Sequence, residues 1–237
     1  MSGPIVTMQR YEVKYLLSAE QTEKLKDRLR GHMEVDSYGL TSIASLYYDT
    51  PDYALIRASI EKPEFKEKLR LRSYGLAKGD STVFLELKRK AYGIVYKRRV
   101  ATTENAVKDF IGYRGNICAD GQIAREINYF RDYYKKLVPS CLIIYDRTAY
   151  YESNGDLRMT IDNDPRYRVE RLDLHSDMQG TSLLPDGWTI LEIKVQTAMP
   201  LWLTEILDDL KIYKGSFSKY GEAYKQQLKK IRIQKGI

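Results

Sequence analysis

The chain's 237 residues suffice for one large domain or two small ones. Its 43% hydrophobic and 30% charged residues exclude a disordered polymer, and its net charge of +7 favours an anionic partner without naming one. No stretch approaches the roughly 20 apolar residues of a membrane span, and no apolar leader core stands near the start. Cys118 and Cys141 have neither metal-ligand spacing nor a disulfide framework, so the chain reads as soluble and cytoplasmic, with Cys141 a small core residue ahead of Leu142, Ile143 and Ile144. The 20 Tyr against 5 Phe favour rings that pack while their hydroxyls hydrogen-bond in wet surroundings.

Residues 8–17 alternate in polarity and read as a first strand. Ser18 caps a helix, with Gln21 in capping-box position, Leu25 and Leu29 as its stripe and Gly31 as its stop. Residues 42–49 form a second strand, ended by Thr50-Pro51-Asp52. Residues 66–74 and 82–90 are strands joined through Gly75, Gly79 and Asp80, and residues 94–102 form another. Helical stretches follow around Glu104–Tyr113 and Gln122–Leu137. Strands return at 141–151 and 156–163, with Asn154-Gly155 as a hairpin turn. Tyr167 to Leu172 is weakly strand-like, and Trp188 to Val195 is a strong strand. Pro200 opens a helix over Leu201–Leu210, and a last helix runs near Lys219–Ile231 into a solvated basic tail. The count is about eight strands with helices outside, a single domain over 1–237, and a sheet of that size can close on itself.

Inside these strands every second residue is charged. Arg10, Glu12 and Lys14 open the series; Lys68, Arg70 and Arg72 alternate with Leu69 and Leu71; Glu86 and Lys88 alternate with Leu85 and Leu87. Lys97 and Arg99, then Arg158, Thr160 and Asp162, then Glu192 and Lys194 repeat the pattern. Successive strand residues face opposite ways, so each segment has one apolar and one charged face. Six such strands suggest a closed sheet with a charged interior suited to a polyanion. Arg70 and Arg72 lie about 6.6 to 7 Å apart on one face, and a guanidinium fork matches phosphate oxygens at two points. Glu86 and Glu192 each share a face with a lysine; either can be a counter-charge or can hold Mg²⁺ or Mn²⁺ through hard oxygen ligands. This chemistry suits phosphoryl transfer, which needs positioning and charge neutralisation more than covalent help. His32 and His175 stand in loop contexts and support no nucleophilic triad, and no Walker-type loop is present.

The series Glu12-Val13-Lys14-Tyr15, Leu46-Tyr47-Tyr48-Asp49-Thr50, Lys68-Leu69-Arg70-Leu71-Arg72, Glu86-Leu87-Lys88, Tyr145-Asp146-Arg147-Thr148-Ala149, Leu157 to Asp162, Leu191-Glu192-Ile193-Lys194 and Ser216 to Tyr220 resembles the VTC domain. That is the polyphosphate polymerase domain of the vacuolar transporter chaperone, within the triphosphate tunnel metalloenzymes. The resemblance implies an α+β fold built on an eight-stranded antiparallel β-barrel, or tunnel, with a charged interior and flanking helices. It implies ATP or another triphosphate as donor, Mn²⁺ or Mg²⁺ as metal and inorganic polyphosphate as product. A nucleic-acid polymer is not expected as partner, because the tyrosines mostly fall inside strands or helices rather than on exposed stacking platforms. By position, Arg70, Arg72, Lys88, Lys97, Arg147 and Arg158 would bind phosphates, with Arg99 and Lys194 on the same faces. Lys14 and Lys219 would close around the terminal or attacking phosphate, and Glu192, with Glu86 and Glu12, would hold the metal. A triphosphatase of the same superfamily is the first alternative, since Ser216 stands where the polymerase carries Lys and Glu12 adds a carboxylate. A non-catalytic polyanion-binding module is the second.

Overall fold

A computed structural model describes residues 11–61, 63–92, 94–117 and 121–235, so Arg10 and Cys118 lie outside the described residues. β1 (Tyr11–Leu17) leads into α1 (Ala19–Leu29). The expected capping box is present: the Gln21 N–H donates to Ser18 Oγ at 3.2 Å, and the Ser18 N–H donates to Gln21 Oε1 at 3.0 Å. β2 (Glu34–Asp49) begins eight residues before the expected strand, because its polar first half, Glu34–Thr41, is largely exposed and shows no apolar alternation. α2 (Ala54–Ile60) was hidden behind the Thr50-Pro51-Asp52 turn. Tyr53 enters it in the left-handed region at φ 62° and supplies no side-chain cap. The buried Asp49 carboxylate supplies one instead, accepting the N–H groups of Leu55 at 2.9 Å and Ile56 at 3.0 Å.

β3 (Phe65–Tyr74), β4 (Val83–Ala91) and β5 (Ile94–Thr102) form an antiparallel meander. α3 (Glu104–Ile111), capped by Thr103, and α4 (Gln122–Tyr134) follow, then β6 (Val138–Tyr151) and β7 (Arg158–Arg168). β7 takes in Tyr167 and Arg168 but stops short of the weak strand read to Leu172. The chain ends with β8 (Thr181–Ser182), β9 (Thr189–Val195), α5 (Leu201–Asp209), β10 (Lys214–Gly215) and α6 (Lys219–Lys235).

The fold is α+β, with the strands hydrogen-bonded in the order β10-β1-β9-β7-β6-β2-β3-β4-β5 and β8 on β7. The expected eight-stranded closed barrel needs correction: the sheet has ten strands, and among the described residues no pairing joins β5 to β10. β8 and β10 are two residues long and have no periodicity to read, whereas the other eight strands each have seven residues or more.

By internal contacts the chain comprises two compact units. The first is residues 1–41, 146–164 and 184–217; the second is residues 42–145, 165–183 and 218–237. In the first, Tyr15, Leu17, Met159, Ile161, Leu191 and Ile193 pack with Leu25 and Leu29 of α1 and Leu203, Ile206 and Leu207 of α5. In the second, Leu69, Leu71, Leu85 and Leu87 pack with Leu142 and Ile144 and with Val107, Phe110, Ile127 and Phe130 of α3 and α4. Each such buried side chain contributes about 1.5–3 kcal/mol of transfer free energy. Burying one face of each strand commits the alternate residues to the other, which fixes where the charges stand. Cys141 is a buried free thiol, as expected, and burial pushes it up in pKa.

Candidate functional site

In the second unit, cross-strand register gathers the charges of β3, β4 and β5 into rungs. Arg70 pairs with Glu86 and Glu86 with Arg99; Lys68 pairs with Lys88 and Lys88 with Lys97. Glu86 is 1% exposed, and its oxygens are engaged from several sides. Arg70 Nε donates to Oε2 at 2.8 Å, and Arg99 Nε to Oε1 at 2.7 Å. Lys97 Nζ lies 2.7 Å from Oε1 and Arg72 Nε 3.8 Å from Oε2. Burial alone would raise this carboxyl, but Arg70, Arg72 and Lys97 outweigh it and hold it well below the usual carboxylate range. Glu86 therefore acts in this structure as the counter-charge that splays its cations into a fixed array, with its lone pairs already taken.

The remaining donors of those cations are fixed by aromatic and hydroxyl groups. Arg70 NH1 donates to the Tyr47 hydroxyl at 3.0 Å, and buried Arg72 donates to Ser45 Oγ and to the Tyr145 hydroxyl, each at 3.2 Å. Arg99 donates to the Tyr74 hydroxyl at 2.9 Å and lies 4.6 Å over the Phe84 ring. Lys68 Nζ donates to Ser218 Oγ at 3.2 Å, and Lys219 stands 4.3 Å over the Tyr145 ring. Lys97 has its pKa lowered to about 8, mainly by burial and against the pull of Glu86. Like charges directly opposed on neighbouring strands are destabilising, and the rung Lys68-Lys88-Lys97 opposes three lysines.

The first unit carries a second charged face. Lys14 of β1 pairs with Glu192 of β9, Glu12 with Lys194, Thr160 of β7 with Glu192 and Arg158 with Lys194. Lys14 Nζ lies 3.5 Å from Glu12 Oε1 and 3.4 Å from Glu192 Oε2, and Lys194 Nζ lies 2.6 Å from Glu192 Oε1. Burial would raise Glu192; Lys194, Lys14 and Arg147 overcome it and keep it ionised well below the ordinary range. Arg147 grips the fully buried Asp162 with two hydrogen bonds of 2.6 and 2.8 Å, a partner that sequence alternation placed on the right face but did not connect. Arg158 is exposed and donates to the Leu157 carbonyl at 2.9 Å while lying 5.7 Å from the Tyr151 ring, so it closes its own hairpin.

Among the described residues no group of three His, Cys, Asp or Glu forms a ready metal site. Glu12 and Glu192 nonetheless fit a hard divalent cation that draws its other ligands from water and phosphate. Their oxygens already converge on one positive atom, Lys14 Nζ. Opposite Glu192, the buried Thr160 hydroxyl has no hydrogen-bond partner among the described residues. Glu86, with its oxygens saturated by cations, does not fit that part. Of the histidines, His32 stacks on Trp202 at 4.3 Å and His175 hydrogen-bonds Glu104 at 3.1 Å.

Sequence reasoning missed Tyr47, Tyr145, Ser45 and Tyr74, which complete the array. The available signal was parity: Ser45 and Tyr47 share a face of β2 and pair with Arg72 and Arg70.

A family model described as the VTC domain matches residues 9–228. No curated protein matches the chain in sequence. Among solved structures, a candidate adenylate cyclase of Bacillus halodurans superposes with a TM-score of 0.54 at 14% identity, over 89% of this chain and 96% of that one. A candidate adenylate cyclase of Vibrio parahaemolyticus gives 0.48 at 10% identity, over 92% and 98%.

Proposed function

Because the chain belongs to the VTC domain family, we propose that it is a metal-dependent polyphosphate polymerase that transfers the γ-phosphate of ATP to a growing inorganic polyphosphate chain. The observation that carries this reading is the array on β3, β4 and β5, where Arg70, Arg72, Lys97 and Arg99 meet one buried carboxylate and Lys68 and Lys88 stand on the next rung of the same face. An excess of positioned cations on one face suits consecutive phosphoryl groups. In this reading Arg70, Arg72 and Arg99 grip non-bridging oxygens, held in direction by Glu86 and by the hydroxyls of Tyr47, Tyr145 and Tyr74. Lys68, Lys88, Lys97 and Lys219 extend the contact along the phosphate chain. Lys14, Lys194 and Arg147 bind phosphate on the other charged face. A Mg²⁺ or Mn²⁺ ion on Glu192 and Glu12 would neutralise charge on a phosphoryl group bound at that face. Arg158, committed to its hairpin, is the weakest of the phosphate-binding candidates.

Hydrolysis of tripolyphosphate or a nucleoside triphosphate is the second reading. Ser216 and the second carboxylate Glu12, 3.5 Å from Lys14, favour it. Incubation with ATP and Mn²⁺, followed by a polyphosphate gel and a free-phosphate assay, separates the two. Long chains with little free phosphate are the expected result. Free phosphate without chains would establish the triphosphatase instead, and neither product would leave only a binding module.

A further inference from the structure

Tyr47 sits at the centre of the array without being one of its cations. It is 8% exposed, and its ring stacks on Tyr220 at 4.5 Å. The Tyr220 hydroxyl donates to Asp49 at 2.8 Å, and Asp49 is fixed by the start of α2. The ring is thus held by Tyr220 from α6, itself tied to the start of α2 through Asp49. Its hydroxyl oxygen accepts the Arg70 NH1 hydrogen at 3.0 Å. No oxygen among the described residues takes the proton that this hydroxyl itself can donate. Arg70 keeps 20% of its side chain exposed, so an anion that reaches the guanidinium is within a hydrogen bond of the phenol.

We propose that Tyr47 is a phosphate-contacting residue, its hydroxyl accepting from Arg70 and donating its own proton to a phosphoryl oxygen, so that the patch grips a phosphate chain only while the phenol keeps that proton. The inference rests on the phosphate-binding reading of this face.

The surroundings set where the proton is lost. Burial opposes ionisation of Tyr47, but Arg70, Lys68 and Arg72 of β3 outweigh it and bring the phenol down to about 8. The other groups around it are Glu86 of β4, reached through Arg70; Tyr220 of α6, whose own ionisation is pushed up by burial and by Asp49; and Tyr145 of β6, on Arg72. Farther out, Lys97 of β5 meets Glu86 and Lys219 lies over Tyr145. Lys97 also titrates near 8, so the pH dependence of binding alone would not identify Tyr47. A ratio between two proteins that differ only at Tyr47 cancels Lys97 and the ligand's own titration.

The test is the dissociation constant of inorganic tripolyphosphate for the wild type and Tyr47→Phe from pH 6.5 to 9.5. The variant is expected to bind about tenfold more weakly at pH 7, the effect of one hydrogen bond to a charged partner. The ratio should fall to one or below by pH 9.5, where the wild-type phenolate repels the ligand. Tyrosinate absorbance supplies a readout that needs no variant: one wild-type phenol should ionise near 8, and saturating tripolyphosphate should move that step upward. A ratio that stays constant with pH, or an early tyrosinate step that persists in the variant or ignores the ligand, overturns the assignment of Tyr47 while leaving the binding face intact. A wild type that binds no tripolyphosphate overturns both.

Discussion

At the scale of single residues, the buried glutamates Glu86 and Glu192 have different parts. Glu192 faces Lys14 and Lys194, with the orphaned Thr160 hydroxyl opposite. Glu192→Gln should lower turnover by at least about a hundredfold, the scale of losing one electrostatic catalytic element, while tripolyphosphate binds as tightly or more tightly, because a negative charge has gone. Calorimetric titration beside a turnover assay checks this, and a variant that still turns over would make Glu192 a counter-charge only. Glu86 should behave differently. Removing one member of a buried charge cluster typically costs about 3–5 kcal/mol, so Glu86→Gln should melt well below the wild type, and tripolyphosphate should recover part of the loss. The sign with pH follows from the depressed carboxyls. Both Glu86 and Glu192 ionise below their unfolded value of 4.5, so their stabilisation is complete above that pH and is lost as pH falls through the folded-state values. Denaturation midpoints should therefore fall with acidification below about pH 4.5, less steeply in Glu86→Gln.

Among the elements, those with period-two alternation were legible. Lys68 to Arg72 and Leu85 to Lys88 named both the strand and its charged face, because the leucines could only go inward. Alternation could not name partners, which depend on register across strands. Glu86 alone read better as a counter-charge, and as a metal ligand only together with Glu192, until β3 and β5 set Arg70 and Arg99 on either side of it. α2 was illegible for a local reason: its cap comes from Asp49, on the far side of a Pro turn, and from no residue at its own N-cap. The two helix starts make a measurable contrast. Ser18→Ala removes one side-chain cap in α1 and should cost about 1 kcal/mol. Asp49→Ala should cost several times more, since it frees two α2 N–H groups in buried surroundings and leaves the Tyr220 hydroxyl to Ser140 alone. Urea midpoints of the two variants measure the difference, and equal losses would mean that α2 is held by packing alone.

For the molecule as a whole, a face rich in converging cations is costly without a ligand, and whatever binds only the folded state stabilises it by mass action. Tripolyphosphate at a hundred times its dissociation constant should add about 2.7 kcal/mol, read as an upward shift of the melting temperature that shrinks in high salt. An unresponsive melting curve would count against any anion site on this fold. The match over residues 9–228 and the succession of alternating strands agree on one architecture for the whole match, the VTC domain. The two-residue strands were beyond sequence reading because nothing so short carries a period.

The rung of opposed lysines ends on β5, the terminal strand of the hydrogen-bonding path. Its outer ammonium, Lys97, rests on Glu86 at 2.7 Å, and among the described residues β5 is paired on one side only. On the proposed reading, a phosphorylated ligand would fasten down that border, where the sheet has β4 as its paired neighbour and α4 holds Arg98 through Glu126.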